Sequence, residues 1–349
     1  MALHAAVQAA ITASGARLTW SDAQFDALAR RLFAHQFAGC APYAHYCRGR
    51  GVTPDTLTGY RQIPAVPTDV FKAVDLATFP AQDAVVTFLT SGTTVGTRGR
   101  HLLATTATYE ASLAPWLRRW LAPDDVPLVL ALAPSFADDP HSSLGFMISW
   151  AVAQVGGPGS RHCWTDGPDL DAFADAVRSA DRAVLVLGTA RALQHLLEER
   201  LATAPLPLPA GSRVMETGGF KGAARTLSRD AFYGGLSSGL RVPPEAVISE
   251  YGMTELASQG YARGSQHLIF PPWCRVGAVD PDSLALLPSG EPGLLRFWDL
   301  ANVDSVLAVQ TSDVGVVTEQ GVLLQGRAPG ATPRGCSLAV DEILRGVAP

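Results

Sequence analysis

An α/β fold carrying a small antiparallel β lobe is predicted by three observations. From about Val85 onward, apolar segments of strand and helix period alternate, which is the pattern of buried sheets covered by helices. After about Pro272 the chain changes character, to short strands separated by Gly, Pro and Asp turns. The chain is long enough for such a build: 349 residues, 47% hydrophobic and only 17% charged, can bury one large core or two to three smaller lobes.

The elements follow in order. Residues 1–20 read as a short surface helix: the run has no basic start, and Gln8 interrupts its apolar stretch, so it is not a signal peptide. Ser21 with Gln24 forms a capping box, after which Phe25, Leu28, Leu32 and Phe33 share one helical face. A Pro/Thr-rich passage from Val52 to Asp69 leads to a strand over Val85–Leu89. Helices are predicted over Tyr109–Leu121, Leu144–Val155, Asp169–Ala180 and Ala190–Leu201, with buried strands over Pro127–Ala133, Ala183–Leu187 and Ala246–Ile248. The β lobe is predicted from Leu284–Leu287, Gly293–Trp298, Ser305–Gln310, Val314–Thr318 and Gly321–Gln325, and a last helix from Leu338–Leu344. The domain boundary expected is a core over 1–325 followed by a short tail over 326–349.

Composition narrows the function. A net charge of −5 gives no sign of nucleic-acid binding. No apolar stretch approaches the ~18 residues of a membrane span. Five scattered cysteines without a CxxC pair argue against a disulfide framework or structural zinc and fit a reduced cytoplasm. Lys72 and Lys221 are the only lysines.

Four segments carry chemistry. Thr90-Ser91-Gly92-Thr93-Thr94-Val95-Gly96-Thr97-Arg98-Gly99 follows a strand; its small residues let backbone N–H groups approach an anion, and Arg98 adds charge for a polyphosphate. The Walker spacing is absent, and alone such a loop serves equally as a surface turn. Ser249-Glu250-Tyr251-Gly252-Met253-Thr254-Glu255 follows a buried strand and offers an aromatic, a hydroxyl and a carboxylate for a base, a phosphate and Mg²⁺; a helix N-terminus reads the same way. Glu216-Thr217-Gly218-Gly219-Phe220-Lys221-Gly222 permits close approach to a flat ring, or an ordinary tight turn. In Thr311-Ser312-Asp313-Val314-Gly315 with Gly326-Arg327, an Asp can accept both hydroxyls of a ribose, with a hairpin turn as the plain alternative.

In this order and spacing the four segments resemble the landmarks of the adenylate-forming superfamily, over roughly residues 60–336. The resemblance implies a core of stacked sheets and helices that binds ATP and Mg²⁺ and activates a carboxylic acid. It implies that Thr90, Ser91, Gly92, Thr93 and Thr94 surround the phosphates. By the same resemblance Gly218, Gly219, Tyr251 and Gly252 lie beside adenine, Asp313 holds the ribose, Arg327 reaches the same sugar or the phosphate, Thr254 contacts the α-phosphate, and Glu255 binds the metal. Two departures stand out. Val95 and Thr97-Arg98 replace the usual Gly and Pro-Lys, and, with 22 residues after Arg327, the usual C-terminal domain with its catalytic lysine is not expected. Arg98, Arg334, Lys221 and Lys72 are the cations left to replace that lysine.

The truncation, with Arg334-Gly335-Cys336-Ser337-Leu338 near the C-terminus, is similar to the acyl-protein synthetases of the LuxE family, as are Ile63–Pro67, Phe71-Lys72 and Arg98–His101. That likeness implies transfer of a fatty acyl group from the adenylate to Cys336 and onward to an acyl reductase or another acyl-accepting protein. A thiolate is the nucleophile such transfer needs, and a helix following Cys336 would favour it. Nine residues from Arg327 reach at most about 30 Å, enough for a swinging tail. Cys40, Cys47, Cys163 and Cys274 read as packing residues. Trp116, Trp120, Phe136, Phe146, Met147 and Trp150 are candidates for an acyl pocket or simply core, and His141 with Ser142-Ser143 could meet the acyl carboxylate. The alternatives are a ligase whose acceptor is coenzyme A, a carrier thiol or an amine, and a non-catalytic nucleotide-binding subunit.

Overall fold

The structure, a computed structural model, describes residues 2–14, 19–90, 98–124, 126–218, 228–264, 266–328 and 334–345. Helices α1 (Ala2–Ala13), α2 (Asp22–Gly39) and α3 (Ala41–Gly49) come first, then β1 (Val66–Pro67) and a 3-10 turn over Thr68–Lys72. The strands β2 (Val86–Leu89) and β3 (Arg100–Leu103) precede α4 (Ala107–Leu121). The alternating stretch comprises β4 (Leu128–Leu132), α5 (Ser143–Gln154), β5 (Arg161–His162), α6 (Leu170–Arg178), β6 (Val184–Thr189) and α7 (Ala190–Leu196). It continues through β7 (Arg213–Thr217), α8 (Arg229–Leu240), β8 (Val247–Tyr251) and β9 (Gly260–Arg263). The chain ends with β10 (Cys274–Val279), β11 (Pro292–Asp299), β12 (Ala308–Thr318), β13 (Gly321–Arg327) and α9 (Arg334–Arg345). Two compact units result: Met1–Ala114 with Met253–Gln259 and Ile269–Pro349, and Pro115–Gly252 with Gly260–Leu268.

The first unit is built on the sheet β1-β12-β11-β10, with β13 also on β12. Four of its strands are antiparallel neighbours, as expected for the lobe, but β1 joins in parallel, with Val66 beside Val309 and Pro67 beside Gln310. The expected capping box is present at Ser21, and the predicted face of α2 is buried; Phe25 stacks edge-on to Tyr60, which stacks on Trp298 of β11. Sequence reading erred on several elements here. Helix α1 is not a free surface helix, because His4, Val7 and Ile11 are buried and the His4 ring bonds Thr108 Oγ1 at 2.8 Å and Asp304 Oδ1 at 2.7 Å. Leu284–Leu287 forms no strand: Leu284 has φ 57°, a left-handed conformation that reverses the chain. Ser305–Gln310 and Val314–Thr318 are not separate strands either; one long β12 runs through, its register shifting against β11 between Leu294, opposite Val314, and Arg296, opposite Gln310.

The second unit is a six-stranded sheet in the order β5-β4-β6-β7-β8-β9, parallel except for β9. Its central strands are buried along nearly their whole length, which is why they read as continuous Val/Leu/Ile runs. One face is filled by Phe173, Val177, Leu193, Leu196, Phe232 and Leu236, the apolar stripes of α6, α7 and α8.

Candidate nucleotide and acyl-transfer site

In the first unit the neck of the hydroxyl-rich loop is closed by backbone and side chain together. Thr90 N–H donates to Gly99 O at 2.9 Å, and Gly99 N–H donates to Thr90 Oγ1 at 2.8 Å. Arg98 donates from Nε to Thr90 O at 2.7 Å and from Nη2 to Leu89 O at 3.1 Å, so its guanidinium is committed to the neck. A Cβ on Gly99 would stand 3.0 Å from Thr90 Cγ2 and 3.3 Å from the carbonyl carbon of Phe71, which explains the glycine. Ser91, Gly92, Thr93, Thr94 and Val95 lie outside the described residues.

Thr254 and Glu255 sit in an irregular segment rather than a helix N-terminus, so the capping alternative fails for this stretch. The segment is braced from behind. His101 Nδ1 faces Thr254 O at 2.6 Å and its Nε2 faces Asn302 Oδ1 at 3.0 Å, while Asn302 Nδ2 donates to Glu255 O at 3.0 Å and Val306 O at 2.9 Å. Both ring nitrogens therefore face acceptors, and the neutral ring donates to one of them. Burial pushes the His101 pKa down, and the Thr254 carbonyl, Asn302 and Asp304 act the other way. Asp299 holds the chain just beyond, accepting from Ala257 N–H at 2.8 Å and Ser258 Oγ at 2.7 Å. Burial raises the Glu255 carboxyl to about 7, opposed by its own backbone N–H and by Arg327 and Lys72. A buried carboxylate near two cations fits one Mg²⁺ ligand, since Mg²⁺ takes its remaining oxygens from phosphates and water. Among the described residues, no cluster of three or more His, Cys, Asp or Glu side chains could hold a metal by itself.

Asp313 and Arg327 are register partners on β12 and β13, and Arg327 Nε donates to Asp313 Oδ1 at 3.1 Å. The hairpin alternative is corrected here, since Thr311–Gly315 lies inside β12 and the turn comes after Thr318. Thr311 Oγ1 accepts from Asp313 N–H at 3.1 Å and donates to Leu295 O at 2.9 Å, fixing the aspartate's backbone.

Cys336 differs from expectation in its setting. Helix α9 begins at Arg334, so Cys336 lies in its first turn and not ahead of it. The thiol is buried among Val279, Leu284 and Leu294, and burial pushes it up to about 11, with Arg296 opposing. A Cβ on Gly335 would stand 2.7 Å from Leu284 Cγ, so the helix packs closely on the Leu284 turn. Arg50 Nε, just after α3, donates to Glu342 Oε2 on α9 at 3.0 Å. The other four cysteines are also free and buried.

In the second unit Gly218 and Tyr251 lie at the C-terminal ends of β7 and β8, the edge of a parallel sheet where ligands bind in α/β proteins. Gly218 has φ 90° with open space where a side chain would be, so the turn requires glycine. Gly219 and Lys221 lie outside the described residues. Sequence reading assigned no role to Glu216 and Glu250, two buried carboxylates in these same strands. Glu216 Oε1 accepts from Tyr233 at 2.5 Å and Ser249 at 2.7 Å, and Thr217 donates to Glu250. Burial raises both, Glu250 to about 7. A charged residue inside an apolar strand run was the signal available. The Ser142 hydroxyl caps α5, accepting from Gly145 N–H at 2.9 Å.

Comparison with known proteins adds a family likeness. A profile described as acyl-protein synthetase, LuxE, matches residues 201–345. The chain is similar to the LuxE acyl-protein synthetases. The long-chain-fatty-acid–luciferin-component ligase of Aliivibrio fischeri is 22% identical over 92% of this chain and 88% of its own. Its Vibrio harveyi namesake is 27% identical over 28% of each chain. Among solved structures, 2-hydroxyisobutyryl-CoA ligase in complex with 2-HIB-AMP and CoA superposes with TM-score 0.64 and 16% identity, over 90% of this chain and 68% of that one. ATP-bound MatB from Rhodopseudomonas palustris gives TM-score 0.52 and 20% identity, over 71% and 49%, so the chain spans about half of that enzyme. The fold is thus that of adenylate-forming enzymes, as the sequence implied. The LuxE-like stretch contains Gly218, Tyr251, Thr254, Glu255, Asp313, Arg327 and Cys336; Thr90 and Arg98 precede it.

Proposed function

We propose that this chain activates a carboxylic acid with ATP and loads the acyl group onto Cys336 for delivery to an accepting partner. A carboxylate oxygen attacks the α-phosphorus, an acyl–O–P bond forms, the α–β bridge breaks, and pyrophosphate leaves with the electron pair. The Cys336 sulfur then attacks the acyl carbon; its proton goes to solvent or a base, and AMP departs. The observation that carries the reading is the Asp313–Arg327 pair on adjoining strands, in the same unit as buried Glu255 and near-terminal Cys336, inside the LuxE-like stretch. Asp313 and Arg327 hold the ribose, Thr254 meets the α-phosphate, and Glu255 would hold Mg²⁺, whose chemistry is to neutralise phosphate charge. Thr90 and the hydroxyl-rich sequence that follows it bind the phosphates.

A second reading is favoured by the burial of Cys336: the adenylate passes directly to coenzyme A, a carrier thiol or an amine. Incubation with ATP, MgCl₂ and ¹⁴C-labelled hexadecanoic, octanoic or benzoic acid separates the two. Label that stays on denatured protein and vanishes in Cys336→Ser supports self-loading. Acid-dependent pyrophosphate exchange without protein-bound label supports the second reading. A chain inactive in both assays with every acid sinks both.

A further inference from the structure

We propose that Lys72 is the catalytic cation of acyl-adenylate formation, meeting the oxygens on which negative charge builds as the carboxylate attacks the α-phosphorus. The inference rests on the acid-activating reading above. It starts from β1, which runs parallel to the start of β12 through Val66 beside Val309 and Pro67 beside Gln310. The chain leaving β1 therefore heads in the same direction as the strand that goes on to Thr311 and Asp313. It forms the Thr68–Lys72 turn, and Phe71 brings that turn against the loop neck, its carbonyl carbon 3.3 Å from where a Gly99 Cβ would stand. The Phe71 ring also meets the His101 ring edge-on, with centroids 6.1 Å apart, so the turn touches the support of Thr254 and Glu255. Lys72 is close enough to act electrostatically on the buried Glu255 carboxyl, alongside Arg327.

The other described cations near these groups are committed. Arg98 is bound to the carbonyls of Leu89 and Thr90, Arg327 to Asp313, and Arg296 to Gln310 and the carbonyl of Leu284. Arg100 is paired with Asp75. Of the remaining candidates, Lys221 lies outside the described residues, as does the side chain of Arg334. Lys72 carries three donors on a half-exposed ammonium, and its described ion partner is Asp69 at 2.7 Å. An exposed i,i+3 pair of this kind contributes little to stability, so the lysine can turn to a phosphate at small cost. Asp69 also acts electrostatically on both Glu255 and Cys336.

The test is ATP–[³²P]pyrophosphate exchange at saturating MgCl₂ with hexadecanoic, octanoic and benzoic acids, on wild type, Lys72→Met and Lys72→Arg. Lys72→Met should lose about 100-fold or more in kcat with the KM for ATP within about threefold, because the contact is made in the transition state. Lys72→Arg should recover a measurable part of the loss by restoring the charge, though in a different shape. Wild-type exchange with Lys72→Met unchanged overturns the role of Lys72 and leaves acid activation standing. A fall in Lys72→Met that tracks a lowered melting temperature, with no recovery in Lys72→Arg, overturns it as well. A silent wild type overturns the acid-activating reading and takes the lysine's role with it.

Discussion

Cys336 is a thiol in the docked position of α9, sealed by Val279, Leu284 and Leu294, and held protonated by burial up to about pH 11. Because the thiolate is the reactive form, its fraction grows about tenfold per pH unit below the pKa. Alkylation of Cys336 by iodoacetamide, followed by peptide mass spectrometry, should therefore keep rising from pH 7 to 10. A plateau near 8.5, the free-thiol value, would show that the sulfur is exposed and contradict the packing. The motif around Cys336 was legible in the sequence, but its burial was not, since it depends on Leu284 turning back from a distant part of the chain. The same holds for Arg98, whose charge was legible but whose commitment to two carbonyls needed the closed neck.

At the scale of elements, β12 does the most to assemble the candidate site. Eleven residues long, it pairs with β1 at one end and β13 at the other, and so sets Asp313 opposite Arg327. Asp313→Ala should raise the KM for ATP about tenfold or more while the fold persists, as pyrophosphate exchange and a melting curve would report. The brace behind Thr254 and Glu255 makes a different prediction. His101→Ala removes the ring that bridges Thr254 O and the buried Asn302 Oδ1, at a cost of about 2 kcal/mol or more, measurable by urea unfolding. Strand and helix periods fixed most of these elements correctly from sequence, because they are local. The parallel partner β1 is only two residues long and carries no periodicity, and β12 runs on through a register shift against β11 that spacing alone does not encode.

For the whole molecule, the carboxylates held in low-dielectric surroundings link stability to pH. Burial raises Glu250 and Glu255 from 4.5 to about 7 and Asp299 from 3.8 to about 6. As pH rises from about 4.5 towards 7, the unfolded chain releases these protons before the folded chain does, so stability falls across that window and flattens above it. Glu250→Gln imitates the protonated form and should flatten part of the slope, leaving the variant more stable than wild type at pH 7.5 and little changed at pH 4.5. Equal losses in both proteins would show that Glu250 is not the source.

The central claim is that the acid's own oxygen becomes bonded to the α-phosphorus of ATP, and ¹⁸O transfer tests it most directly. Hexadecanoic, octanoic or benzoic acid labelled in both carboxylate oxygens is turned over with ATP and MgCl₂, and the nucleotide product is weighed by mass spectrometry. The account predicts AMP carrying one ¹⁸O atom. Label recovered in inorganic phosphate with ADP as the product, or unlabelled AMP, would contradict it.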